Sequence, residues 1–131
     1  MANVEGRVAE RENRIAIRER DGFRLLRVGE IDWVESADNY VRLHAGSRSY
    51  LERMTLTAAE AALDGRFARV HRRLIVNLDR VERVRPTRGG DHELELENGT
   101  RLRMSRTYRD SVLRRLHRLG RETAEASMHG H

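Results

Sequence analysis

The chain has 131 residues, 38% hydrophobic and 36% charged, enough apolar material for one modest core under a polar surface. No apolar run approaches the roughly 20 residues that a membrane span needs. The charged start, Met1 to Asn13, is not a secretory signal, and the absence of cysteine removes disulfide frameworks, thiol nucleophiles and cysteine zinc sites. A reducing cytoplasm is the default compartment.

All 26 basic residues are arginine. The lack of lysine reads as the codon preference of a GC-rich genome; the distribution of charge is more informative. Ile15 to Leu116 holds 21 arginines against 16 acids, a net of +5, while the flanks cancel with five of each. The excess positive charge sits in the folded part, and a basic fold implies a polyanionic partner, most often nucleic acid.

Residues 1–14 have many charges and little periodicity and read as a linker or disordered arm. Residues 15–119 form the expected domain, and residues 120–131 a flexible tail. His129 and His131 at that terminus are not expected to form a physiological metal site. Ile15 to Arg20 alternates, Asp21-Gly22 is a turn signal, and Phe23 to Val28 resumes. Ile31 to Glu35 is a further strand candidate. Tyr40 to His44 alternates with Val41 and Leu43 inward and Tyr40, Arg42 and His44 outward. Gly46-Ser47 then turns the chain into Arg48 to Arg53.

Thr57-Ala58-Ala59-Glu60 has the form of a capping box, predicting a short helix over Thr57 to Asp64 with Leu56 as its staple and Gly65 as its stop. Phe67 to Val70 is a short apolar run. Leu74 to Leu78 is too short to assign from periodicity. Val81 to Arg85 reads as a strand ended by Pro86. Glu93 to Glu97 and Thr100 to Met104 flank Asn98-Gly99, which predicts a two-residue type I′ hairpin. Leu94, Leu96, Leu102 and Met104 form its apolar face, and Arg101 and Arg103 are expected to pair with Glu93, Glu95 or Glu97 across the strands. A final helix is predicted from an N-cap at Ser105 to about Leu116, with Tyr108, Val112, Leu116 and Leu119 in one stripe.

Arg88-Gly-Gly-Asp-His-Glu93 superficially resembles the GGDEF signature of diguanylate cyclases, but a phosphate-binding loop is missing and Gly-Gly directly precedes a hairpin, so it reads as a turn. There is no nucleophile elbow and no His-Glu-x-x-His pattern. Isolated His44 and His71 read as surface or structural residues, and neither catalysis nor a cofactor is expected.

Three basic clusters stand out. Arg69 and His71-Arg72-Arg73 bracket a short apolar segment. Arg101, Arg103, Arg106 and Arg109 surround the last hairpin and helix start. Asn39-Tyr40-Val41-Arg42 combines an amide, an aromatic ring and a guanidinium. Arginine and asparagine read guanine and adenine edges bidentately in the major groove. All three clusters fall at loops or element ends, where a β-scaffold presents such residues.

At these clusters the chain resembles the LytTR DNA-binding family. The resemblance runs through Ile31-Asp-Trp-Val-Glu-Ser-Ala-Asp-Asn-Tyr-Val-Arg42, Tyr50 to Leu56, Phe67-Ala-Arg-Val-His-Arg72, Ile75-Val-Asn-Leu78, and Asn98-Gly-Thr-Arg-Leu-Arg-Met-Ser-Arg106 with Tyr108. It implies a mainly β, elongated antiparallel domain with short helices, whose loops enter successive major grooves. By motif match the base-reading candidates are Asn39, Tyr40 and Arg42 in one loop, Arg72 in the second and Arg106 in the third. Arg73 stands where the family usually has serine and is expected to add a phosphate contact. His71, Ile75, Val76 and Asn77 are expected to hold the second loop.

The function so implied is sequence-specific binding of double-stranded DNA by a bacterial transcription regulator, the output module of a response regulator. Free monomers would pair on repeated half-sites. Family members usually carry an N-terminal phosphoreceiver or a membrane segment, so the chain is expected to be either an excised output domain or a stand-alone regulator. The alternative is a basic protein-interaction module that binds an acidic partner.

Overall fold

A computed structural model describes residues 13–129, with side chains to residue 120. The arm expected over residues 1–14 lies, apart from residues 13 and 14, outside the described residues, as does His131. The described chain is mainly antiparallel β and forms two compact units. One comprises the residues up to Ala68 with Arg73–Arg80, and the other Arg69–Arg72 with the residues from Val81 onward.

The first unit opens with strands β1 (Arg14–Glu19) and β2 (Gly22–Arg27), a two-stranded hairpin closed by the pair Glu19 and Gly22. Then follow β3 (Trp33–Ala37), β4 (Tyr40–Ala45) and β5 (Arg48–Glu52), helix α1 (Leu56–Ala62), β6 (Phe67–His71), whose residues from Arg69 onward belong to the second unit, and β7 (Leu74–Asn77). The five-stranded sheet has the order β5-β4-β3-β7-β6, and β3 pairs antiparallel with both β4 and β7. Alternation decides its faces. Val34, Val41, Leu43 and Ile75 are fully buried and pack with Leu56 and Ala59 of α1 and with Leu63, which caps its C-terminal end, while Ile15, Ile17 and Leu26 of the first hairpin join the same core. Burying each larger aliphatic side chain contributes about 1.5–3 kcal/mol.

β7, which periodicity left unassigned, is a central strand. Ile75, Val76, Asn77 and Leu78 are buried in succession, so no alternation could appear. Asn77 is 1% exposed. Its amide nitrogen donates to the Ile31 carbonyl at 2.9 Å and its side-chain oxygen accepts from the Asp79 amide at 3.0 Å, as a buried amide requires.

The helix before β6 begins one residue earlier than expected, because its cap is Thr55, not Thr57. Thr55 Oγ1 accepts from the Ala58 amide at 3.0 Å. Both threonines suit the role; placing Leu56, Ala59 and Leu63 in the core selects Thr55.

The second unit contains β8 (Val81–Pro86), β9 (His92–Leu96), β10 (Arg101–Met104) and helix α2 (Arg106–His129). The sheet order is β10-β9-β8. Leu94, Leu96, Leu102 and Met104 are buried as predicted, together with Val70 and Val112. The β9–β10 turn differs from the predicted type I′. Leu96 and Thr100 close it, with the Gly99 amide donating to Leu96 O at 2.9 Å. Gly99 has φ +91° and Asn98 has no positive φ. This is a three-residue loop with glycine in the left-handed position. Asn98 instead accepts from the Thr100 amide at 3.0 Å, a local bond that competes with the type I′ geometry.

α2 also runs beyond its expected end, to His129. Gly120 does not stop it. A helical glycine costs only about 1 kcal/mol against alanine, and the following Arg-Glu-Thr-Ala-Glu-Ala is largely helix-forming. No helix among the described residues is long and apolar enough to cross a membrane.

Candidate nucleic-acid interface

The β3–β4 hairpin presents the first group. Ala37 and Tyr40 are its last paired residues, so Asp38 and Asn39 make the turn. Asp38 has φ +58°, a left-handed conformation that aspartate tolerates better than most residues. Of the three candidates placed in one loop, only Asn39 is in the turn. Tyr40 opens β4 and Arg42 lies inside it. Asn39 and Tyr40 are exposed, and the Arg53 guanidinium sits 6.0 Å from the Tyr40 ring centre, within cation–π range.

Arg42 belongs to a row on the outer face. Trp33 and His44 are cross-strand partners whose rings stack 3.8 Å apart and only 4° from parallel. His44 Nε2 lies 2.7 Å from Glu35 Oε2, and Arg42 Nε 3.8 Å from that same oxygen. One carboxylate thus faces both Arg42 and His44 of the strand. Sequence reasoning missed Glu35, although its spacing of two from Trp33 places it on the outer face.

The β6–β7 turn carries the second group. Arg72 and Arg73 lie between the last residue of β6 and the first of β7. Arg69 holds the turn's backbone: its Nη2 donates to Arg72 O at 2.7 Å and its Nε to His71 O at 3.2 Å. The Arg73 side chain donates to Ser36 Oγ at 3.2 Å. The Arg72 guanidinium is exposed, and among the described residues no hydrogen bond or ion pair engages it.

The third group is at the start of α2, and its organiser is Asp91, a residue read from sequence only as part of a turn. Asp91 Oδ1 accepts from the Arg106 amide at 3.1 Å, and Oδ2 accepts from Arg103 Nε at 2.8 Å and from Arg103 Nη2. Those Arg103 hydrogen bonds, then the Arg106 amide, hold the Asp91 carboxyl below its ordinary value. Ser105 stands directly before the helix, and its carbonyl accepts from the Tyr108 amide at 3.0 Å. Asp91, supplied from the β8–β9 turn, adds a side-chain acceptor for the first helical amide, and a carboxylate suits the positive end of the helix dipole.

Arg103 does not pair with the glutamates of β9. Arg85 of β8 takes Glu93 at 3.5 Å and Glu95 at 3.3 Å, because β9 lies between β8 and β10 and both neighbours compete for its acids. Arg106 is exposed, with Nη1 a long 3.5 Å from Gly89 O, and Arg109 Nη1 donates to Gly90 O at 2.9 Å. An open cavity of about 600 Å³ lies against Arg88, Arg101 and Arg103.

These groups offer exposed guanidiniums on hydrogen-bonded backbones, an amide and an aromatic ring. Among the described residues no three metal-ligating side chains come together.

Residues 21–117 match the family model of the LytTr DNA-binding domain. The sensory transduction protein LytT of Bacillus subtilis (strain 168) is 25% identical over 107 residues, 81% of this chain and 44% of that protein. The positive alginate biosynthesis regulatory protein of Pseudomonas aeruginosa is 32% identical over 107 residues, 80% of this chain and 43% of that protein. The chain thus matches less than half the length of these relatives. Among solved structures, a LytTr DNA-binding domain from Bacillus cereus has the same fold, with a TM-score of 0.69 at 23% identity over 81% of this chain and 97% of that one.

Proposed function

This chain belongs to the LytTR DNA-binding domain family, and from that premise we propose that it reads specific duplex sequences through its turns and element ends rather than through a recognition helix. The observation that carries the reading is the contrast among its arginines. Arg73, Arg85 and Arg103 have side-chain partners within the fold. Arg72 and Arg106 are exposed at a turn and a helix start whose backbones are tied down by Arg69 and Asp91. A guanidinium on a fixed backbone can form two hydrogen bonds to a guanine edge.

In this reading Asn39, Tyr40 and Arg42 contact one groove, Arg72 and Arg106 others, and Arg73 a phosphate. Surrounding arginines neutralise phosphates and release counterions, which supplies affinity without sequence preference. No step is chemical, so the domain is not an enzyme, and its place is with the chromosome in the cytoplasm. Two copies pair on repeated half-sites while the free chain is monomeric. The matched relatives are more than twice as long as the aligned segment, which fits control by a further domain such as a phosphoreceiver.

In vitro selection of duplexes from a random pool tests the proposal. Enrichment of a repeated motif, bound far more tightly than its scrambled form, is the expected result. Absence of binding to any duplex at low salt would overturn it and return the basic surface to the recognition of an acidic protein.

A further inference from the structure

The Arg88–Gly90 turn looks from sequence like a simple connector, yet with the residue after it the turn makes three hydrogen bonds to the start of α2, the longest from Arg106 Nη1 to Gly89 O at 3.5 Å. Its next residue, Asp91, binds the Arg106 amide. Its Gly90 carbonyl binds Arg109. A Cβ built on Gly90 would stand 3.4 Å from Arg106 Cδ and 3.5 Å from Arg109 Nη1, whereas one built on Gly89 would meet nothing within 4 Å. Both glycines have positive φ, +79° and +89°. The bare backbone at residue 90 is therefore the surface on which the aliphatic stem of Arg106 rests.

We propose that Gly90 and Asp91 are positioning residues for recognition: together they orient the Arg106 side chain before it meets the nucleic acid. The inference rests on Arg106 reading a base and adds what sets the strength of that reading. Asp91 places the first residue of α2 through its amide, and the Arg106 stem lies against the space that a side chain at Gly90 would enter. A long arginine side chain otherwise loses rotamer freedom on binding, and prior orientation removes part of that cost. Both glycines have a left-handed backbone and both carbonyls face an arginine of α2, Gly89 O receiving Arg106 Nη1 at 3.5 Å and Gly90 O receiving Arg109 Nη1 at 2.9 Å. A substitution keeps either carbonyl, and only at Gly90 would the new side chain meet Arg106. Nothing in this role requires Gly90 or Asp91 to touch DNA.

The test compares Gly90→Asn with Gly89→Asn in the full chain, asparagine being tolerant of positive φ. The probes are the duplex selected by the wild-type chain and a scrambled duplex of equal length and composition, with thermal melting of each variant recorded alongside. Gly90→Asn is expected to lower the ratio of selected to scrambled affinity by roughly 2- to 12-fold, and Gly89→Asn to leave it unchanged. In an Arg106→Ala background Gly90→Asn should have no further effect on that ratio, an outcome that a general loss of structure would not produce. Should Gly90→Asn fail to fold, Asp91→Ala is measured in the same two backgrounds with the same expectation. If Arg106→Ala itself leaves the ratio intact, base reading by Arg106 is wrong. If Arg106→Ala lowers it but Gly90→Asn and Asp91→Ala do not, the positioning role alone is overturned.

Discussion

The side chain of Arg69 donates to the backbone carbonyl of Arg72, three residues ahead, at 2.7 Å. An arginine that appears from sequence to belong to the binding surface is thereby part of the support for its neighbour. Its second bond, to His71 O at 3.2 Å, fixes the same turn from the other nitrogen. Each such bond contributes about 0.5–1.5 kcal/mol net. Arg69→Ala should lower stability by about 1–3 kcal/mol and weaken binding to the selected duplex. In an Arg72→Ala background it should cost little further discrimination, which a double-mutant cycle measures. Additive losses would show that Arg69 contacts DNA in its own right.

Arg72→Ala and Arg106→Ala should each weaken binding to the selected duplex by roughly 5- to 150-fold, the value of a lost bidentate base contact, with a much smaller loss on scrambled DNA. Arg101, exposed beside the open cavity and without an ion pair among the described residues, should behave differently. Arg101→Ala should lower both affinities by one modest factor, as a phosphate contact does. Titrations on both duplexes at fixed salt decide each case, and equal losses for Arg72→Ala would demote it to a phosphate contact.

Affinity should fall steeply with salt. Neutralising about 6 phosphates corresponds to a slope of log K against log salt near −5 for a B-form duplex. A slope near zero would contradict binding driven by counterion release.

Acid should act through Asp91. Its folded value is depressed, so its contribution to stability is complete above its ordinary value near 3.8 and is lost as pH falls through the folded value. Asp91→Asn retains an oxygen for the Arg106 amide but not the charge that binds Arg103. Wild type should therefore melt above Asp91→Asn at neutral pH, and the gap should close as pH drops below about 4. A gap independent of pH would refute the assignment of this carboxylate as a charged partner of Arg103.

Asn77→Ala should destabilise the fold by about 1–3 kcal/mol, because it leaves the Ile31 carbonyl and the Asp79 amide without their buried partner. The folded fraction should keep its preference for the selected duplex. Altered sequence preference would instead give Asn77 a role in reading.

What the sequence determined by itself was local. Period-two alternation located β4 and the β9–β10 hairpin and named their buried residues, since a strand with one face in the core must alternate. Charge placed the excess of arginine in the fold, and the motifs named Asn39, Arg72, Arg73 and Arg106 as candidates. Tertiary structure decided whatever depended on partners distant in the chain. It chose Thr55 over Thr57 because the core had to receive Leu56. It made β7 a central strand, whose burial on both faces erases alternation. It gave Glu93 and Glu95 to Arg85 instead of Arg103, because acids between two basic strands have two suitors and geometry picks one. It brought Asp91 to the start of α2, 15 residues along the chain from Arg106. Periodicity and spacing report what a residue's neighbours in sequence require, whereas a capping carboxylate is chosen by where the sheet delivers it.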